Sequence, residues 1–373
     1  MITPPLARAA GLLLGAVADA VLADPRRGHP VAGFGAVAAA LEGRTYADRR
    51  GAGIRHVMLL VGGAVGLGVA AERVARGFVA RTAVTAAATW VVLGGTSLAR
   101  EGAALAAELD RDDLAAARAR LPGLCGRDPS TLDAGGLARA GTESMAENTS
   151  DAVVASLLWG AVAGVPGLLG HRAVNTLDAM VGHRSPRYAR FGWAAARLDD
   201  VANLVPARVC ALLTAAVAPA VGGSPGAALR VWRRDAAAHP SPNAGPVEAS
   251  AAGALGVTLG GRTVYGHGTE ERPRLGDGPP PGPADLRRAA ELSRLVGAAA
   301  VVLAVVLAAA LSSVPAAGRG GQSAAGPSRS AAAPVAAGSG PSARSSPASA
   351  RRISARRERR PPGLRCSISS RMK

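Results

Sequence analysis

Three acids recur at four-residue intervals in the string Glu143, Ser144, Met145, Ala146, Glu147, Asn148, Thr149, Ser150, Asp151. On a continuous helix Glu143, Glu147 and Asp151 line one face, with Asn148 beside them. Like charges stacked in this way cost about 0.2–0.5 kcal/mol per neighbouring pair, so something cationic must compensate. A magnesium ion carrying phosphate would do so, because hard cations take carboxylate and phosphate oxygens. A simpler duty also fits these residues: Thr149, Ser150 or Asp151 could cap a following helix.

A second cluster runs through Asn175, Thr176, Leu177, Asp178, Met180, Gly182, His183 and Arg184. Asn175 and Asp178 share a helix face, and His171 lies one turn earlier on it. Beyond it come Arg187, Tyr188, Arg190 and Phe191, and then Arg197, Asp199, Asp200 and Asn203. Arginine forks grip phosphate or carboxylate and acids hold metal, so the mixture suits an anionic, phosphate-bearing substrate. Salt bridges that merely staple helices together would have the same composition.

Two smaller sets complete the polar inventory. Asp19 sits in an apolar run, where an ionisable residue is expensive and functional by default; Asp24, Pro25, His29 and Pro30 follow it as a rigid turn. His239, Ser241 and Asn243 lie in a loop whose path is fixed by Pro240, Pro242 and Gly245. No GxxxxGK[ST] loop, GxSxG elbow or HExxH helix occurs, so any ATP is held by a non-standard site.

The elements that must position these groups are apolar. Of 373 residues 49% are hydrophobic and 18% charged, with a mean hydropathy of +0.19, a balance that points to a membrane. Apolar stretches cover 6–23, 57–71, 83–98, 152–170, 201–222 and 295–314. The first is read as a retained membrane helix rather than a cleaved signal, because it contains Asp19 and leads straight into the Asp24 motif. A spanning helix needs about 20 apolar residues; the fourth stretch is interrupted at Pro166 and Gly167, a pattern expected of a re-entrant or protein-buried helix. Pro206 and Arg208 shorten the fifth. Polar motifs flank both, so either these segments do not cross or the site lies at membrane depth. Residues 100–150 read as a polar helical loop with a solvated face, and 223–294 as the largest loop.

Lys and Arg outnumber Asp and Glu 43 to 26, but 12 of the bases and a single acid, Glu358, fall in 312–373. That Ser-, Pro-, Gly- and Arg-rich segment reads as a disordered basic tail. Charge placed there, without stacking aromatics, argues against nucleic-acid binding. Cys125, Cys210 and Cys366 form no CxxC pair or zinc set. The expected architecture is all-α: a polytopic integral membrane helical protein over 1–311, with polar helical loops and the disordered tail over 312–373.

The ordered strings resemble the adenosylcobinamide-phosphate synthases of cobalamin biosynthesis, the family called CbiB or CobD. The resemblance rests on Asp24, Pro25, His29 and Pro30; on Glu143, Ser144 and 147–151; on Asn175 to Asp178, Met180, Gly182 and Arg184; and on Tyr188, Phe191 to Trp193, Arg197, Asp199, Asp200, Asn203, Pro206 and Arg208. It ends with His239, Ser241, Pro242, Asn243, Gly245 and 253–256, and spans residues 10 to about 310. Departures fall at Ala152, Ser156, His183 and Pro246, where the family pattern has glycine, proline, tyrosine and tryptophan.

The resemblance implies a multi-pass ligase of the cell membrane. It would use ATP and Mg2+ to join an aminopropanol phosphate to a propionate carboxylate of adenosylcobyric acid. Glu147, Asp151 and Asp178 would hold metal, and Glu143, Glu147, Asn148, Asp151, Asp199 and Asp200 would carry the catalysis. Asp24, His29, Asn175, Arg184, Arg197, Asn203, His239, Ser241 and Asn243 would bind substrate, with Asp199 or Asp200 accepting the amine proton. The implied partners are the corrinoid, the aminoalcohol phosphate, the lipid bilayer and other late cobalamin-assembly enzymes. A transporter for an anionic small molecule is the competing class; it predicts flux without ATP turnover and, usually, inverted repeats, which the sequence lacks.

Overall fold

The computed structural model describes residues 4–25, 28–183, 185–265 and 268–311, with 4–5 and 263–270 described by backbone alone. Arg184 and the expected tail over 312–373 lie outside the described residues. The chain is helical: α1 (Pro4–Leu22), α2 (Pro30–Thr45), α3 (Arg50–Val74), α4 (Gly77–Val92), α5 (Gly95–Asp110), α6 (Leu114–Arg120) and α7 (Ala134–Asn148) lead to α8 (Ser156–Leu177). Then come α9 (Trp193–Ala202), α10 (Leu204–Val217), α11 (Pro225–Asp235), α12 (Ala244–Leu255) and α13 (Pro283–Ala310). A small antiparallel hairpin, β1 (Leu259–Tyr265) and β2 (Gly268–Leu275), sits between α12 and α13.

Among the described residues five stretches are long and apolar enough to cross a membrane: Arg50–Val74, Gly77–Asp110, Ala134–Gly182, Leu204–Val221 and Pro283–Ala310. Their outer faces carry exposed Met58, Leu59, Leu67, Val302 and Val306, and α1 adds Leu13, Leu14, Val17 and Val21. Such a continuous apolar exterior suits lipid rather than water. Where lipid supplies the surroundings, helices associate through close packing of small residues. Gly11 and Gly15 of α1 accordingly lie flat on Thr85 and Thr89 of α4, where a Cβ would come within 2.5 and 2.4 Å of the threonine Cβ atoms.

The 49-residue stretch Ala134–Gly182 is not one rod. At Gly164 the backbone adopts φ +65°, ψ −146°, and the chain folds back on itself. Ser156 Oγ lies 3.4 Å from Nδ1 of His171, although a straight helix would separate residues fifteen apart by about 22 Å. The two arms form a helical hairpin. Its tip is capped by charges from other helices. Arg8 donates to the carbonyls of Ala161 and Val162 at 3.2 and 3.1 Å, and Glu72 accepts from the Val165 N–H at 2.9 Å. These are the orphan groups of two helix ends, each met by the sign of charge its dipole favours. Both ends of the hairpin therefore emerge on the same side, next to the start of α3, where Gly53 packs on Phe191.

Several boundaries differ from the sequence reading. The break falls at Gly164 rather than at Pro166 and Gly167, because only a glycine tolerates positive φ beside the Glu72 carboxylate. The apolar run over 83–98 is cut at Leu93 and Gly94, where α4 gives way to α5. The expected loop over 223–294 is instead α11, α12, the β-hairpin and the first three turns of α13. Composition misled there, because Pro279, Pro280 and Pro281 lie in a short connection, not in a long coil.

Candidate active site

The hairpin lays the two acidic strings side by side. Both run through wide π-helical turns, Thr149–Ala155 after α7 and Asp178–Gly182 after α8, an arrangement common where helices carry function. Asp151 stands within electrostatic reach of Asp199, Glu147, Asp178 and Arg172, and Asp178 within reach of Asp199 and Asp200. Arg172 faces both Asp151 and Asp24. Asp24 in turn lies 3.6 Å from Nε2 of His29, whose Nδ1 accepts the Val31 N–H at 3.1 Å and caps α2.

Asp199, on α9, lies beside the side-chain amides of Asn203 and Asn175. Burial nevertheless raises its carboxyl to about 6, with the neighbouring Asp200 adding to the rise. Its Oδ1 is buried with no hydrogen-bond partner, and the same holds for Oδ1 of Asp24. Asn203 Oδ1 lies 3.0 Å from His171 Nε2, fixing α9 against the second hairpin arm. Arg197 pairs with Asp200 at 3.2 Å and is otherwise exposed.

The first acidic string leads into a different environment. Glu143 is fully buried, pairs with Arg127 and accepts the Gly260 N–H at 2.7 Å. A shift of register between Leu259 and Gly261 aims that N–H out of the ladder. Glu147 turns toward Glu248 of α12 and Arg272 of β2. Arg272 lies 3.4 Å from Glu248, and His239 Nε2 lies 3.6 Å from the same carboxylate. Burial, then the charges of Glu147 and Glu143, push the Glu248 carboxyl well above the usual range. Burial and Arg272 push His239 down.

The expected site residues thus sort by duty. Asp151, Asn175, Asp178, Asp199, Asp200 and Asn203 lie together, with Glu147 at the border toward Glu248 and Arg272 and Asp24 and His29 reached through Arg172. Glu143 is engaged by Arg127 and Gly260. Asn148 is pinned by Ser144 Oγ at 2.8 Å and by the Leu124 carbonyl at 3.3 Å. Ser241 Oγ accepts from the N–H groups of Asn243 and Ala244, starting α12. Asn243 bridges the Asp200 carbonyl and Arg208 at 2.8 and 3.1 Å. Asp19, flagged as an expensive buried charge, accepts from the N–H and hydroxyl of Thr96 at 3.1 and 3.0 Å and so caps α5.

Four residues of the site carried no motif: Arg127, Arg172, Glu248 and Arg272. Glu248 had a legible signal, a lone acid in the apolar run of α12, the same signal that marks Asp19. Arg127 and Arg272 come from a loop and a strand far away in sequence, and no spacing rule brings them in.

Helices that expose apolar faces around a half-buried cluster of acids define a helical membrane protein with an ionic site. The chain belongs to the CobD/Cbib protein family, whose model matches residues 12–293. It is 61% identical over 300 residues to "Cobalamin biosynthesis protein CobD" of Mycobacterium tuberculosis, covering 80% of this chain and 96% of that one. The proteins of the same name from Rhodobacter capsulatus and Chromobacterium violaceum are each 42% identical. They cover 78% and 74% of this chain, and 92% and 88% of their own. No solved structure matches. The chain has a role in cobalamin biosynthesis.

Proposed function

We propose that the protein is an ATP-dependent amide ligase of the cell membrane. It joins an aminopropanol phosphate to the propionate carboxylate of adenosylcobyric acid and yields adenosylcobinamide phosphate. The observation that supports this most is the meeting of the two acidic strings at Asp151, flanked by guanidinium groups. A cluster of acids bordered by Arg172 and Arg197 suits a reaction among a carboxylate, an amine phosphate and a nucleoside triphosphate.

A carboxylate is a poor acyl donor. In the reaction we envisage, a propionate oxygen attacks the γ-phosphorus of ATP, the bond to ADP breaks, and an acyl phosphate forms. The amine then attacks the acyl carbon, inorganic phosphate leaves, and the amine proton passes to Asp199. A carboxyl poised near 6 accepts that proton more readily than an ordinary aspartate. Arg197, exposed beside Asp200, would reach the substrate phosphate, and Arg172 would offset the charges of Asp151 and Asp24.

Magnesium fits this pocket as a shared ion rather than a caged one. Among the described residues no three acids, histidines or cysteines converge as a preformed metal site. Mg2+ characteristically takes one or two carboxylates and completes its shell with phosphate and water. Asp151 and Asp178 would hold it, with the unpartnered Asp199 oxygen beside them. Glu147, turned toward Arg272 and Glu248, contributes its charge from one side. The ion, when bound, neutralises phosphate charge.

The deciding experiment incubates the purified protein with adenosylcobyric acid, aminopropanol phosphate, ATP and Mg2+. Mass spectrometry should find the condensed product, with one ADP and one phosphate released per amide. Substrate flux across vesicles with no ATP consumed would replace the ligase with the transporter.

A further inference from the structure

A second cavity lies outside this site. Between α1, α5 and α13 the structure holds a cleft of about 1020 Å³. Its wall is split by height. Leu13 and Val17 of α1 and Val301 of α13 form an apolar strip, and the first two are half exposed on the lipid-facing surface. Arg100, Arg287, Arg288 and Arg294 stand at the other end, opposed among the lining residues by Asp19 and Glu291 alone.

The heights follow from the packing. Gly95 and Gly297 both rest on Val153, and Arg287 pairs with Asp110, so α5 and α13 run antiparallel and Arg100 faces Arg294 at one level. The charged first three turns of α13 mark the headgroup zone. Val301 lies seven residues deeper, about 10 Å along the helix axis, well within a hydrocarbon leaflet of roughly 15 Å. Two of the four arginines are already engaged: Arg287 by Asp110, and Arg288 by Asp285 and two backbone carbonyls. Arg100 makes no hydrogen bond or ion pair among the described residues, though its charge bears on Asp19. Arg294 has only Glu291, at 3.6 Å.

We propose that this cleft binds one anionic glycerophospholipid. Its phosphate rests between Arg100 and Arg294, and an acyl chain lies along Leu13, Val17 and Val301. Two guanidinium groups at headgroup height above an apolar strip open to the bilayer match the two halves of such a lipid, as basic pockets between membrane helices do generally. None of Asp151, Asp178, Asp199 and Asp200 lines the cleft, so a lipid held there splints α1, α5 and α13 without entering the reaction.

The test uses the full chain in detergent, supplied with phosphatidylglycerol, phosphatidylcholine, glycerol phosphate or adenosylcobyric acid. Native mass spectrometry and thermal unfolding are the readouts. One phosphatidylglycerol should be retained and should raise the unfolding temperature. Phosphatidylcholine should bind about tenfold more weakly, and glycerol phosphate, which lacks the chains, should give no shift. The double variant R100Q/R294Q should lose that preference roughly tenfold or more, while R230Q, an exposed arginine outside the cleft, should keep it. Equal retention of both lipids by the natural chain would overturn the proposal without any variant needing to fold. So would displacement of phosphatidylglycerol by the corrinoid, which would make the cleft a substrate site.

Discussion

The two halves of the ionic site are built on opposite plans. Around Glu143 and Glu248, both fully buried, the acids meet Arg127 and Arg272 one for one. Around Asp151, Asp178, Asp199 and Asp200 the acids are half-buried and outnumber Arg172 and Arg197. The first half is sealed and charge-balanced, as a scaffold that must survive in low dielectric has to be. The second is open and short of positive charge, a state that a protein keeps when a ligand is to supply the balance.

Replacements can break that contrast. Asp178→Asn removes a charge from the acid-rich half. It should cost on the order of 10²–10³-fold in amide formation while leaving the unfolding temperature unchanged or higher, measured by product assay and thermal denaturation. Arg272→Ala acts on the balanced half and leaves the buried Glu248 without its guanidinium partner; it should destabilise the fold by about 3–5 kcal/mol, read by denaturant unfolding. The reverse pattern, stability lost at Asp178 and rate alone lost at Arg272, would dissolve the distinction.

Gly164→Ala tests the device that brings the halves together. A side chain there meets positive φ and a Cβ position 2.2 Å from the Glu72 carboxylate, so about 1–3 kcal/mol should be lost. Activity should fall further than stability if the register of Asp151 against Asp178 moves. The smallest effect concerns pH. As a proton acceptor Asp199 must be ionised, so the rate should climb as pH rises through about 6. Because the charge of Asp200 helps to raise that carboxyl, Asp200→Asn should move the limb to lower pH. The sign for stability is opposite. A folded-state value above the ordinary one stabilises below about 4 and loses that contribution as pH rises through 6.

Much of this was legible in the sequence, and for physical reasons. Apolar runs announced the membrane helices because burial in lipid needs length and little charge. Four-residue spacing placed Glu147 and Asp151 together because a helix turn does so. The interruption after residue 163 was legible as well, though the turning residue was misplaced, since proline is the louder signal and the fold turned on glycine. What stayed hidden was compensation. Magnesium was expected to offset the Glu143, Glu147 and Asp151 row, whereas Arg127 and Arg272 arrive from a loop and a strand that nothing in the local pattern connects to it. The β-hairpin was hidden too, its strands short and surrounded by glycine, yet it carries Arg272 and aims Gly260 at Glu143.

The turn at Gly164 also decides sidedness. If the chain is inserted as its apolar helices suggest, a hydropathy count that takes Ala134–Gly182 as one crossing would assign every later segment to the opposite face of the bilayer. Counted as a descent and a return, the stretch contributes nothing to parity, and reporter domains fused just before Ala134 and just after Gly182 would share a compartment.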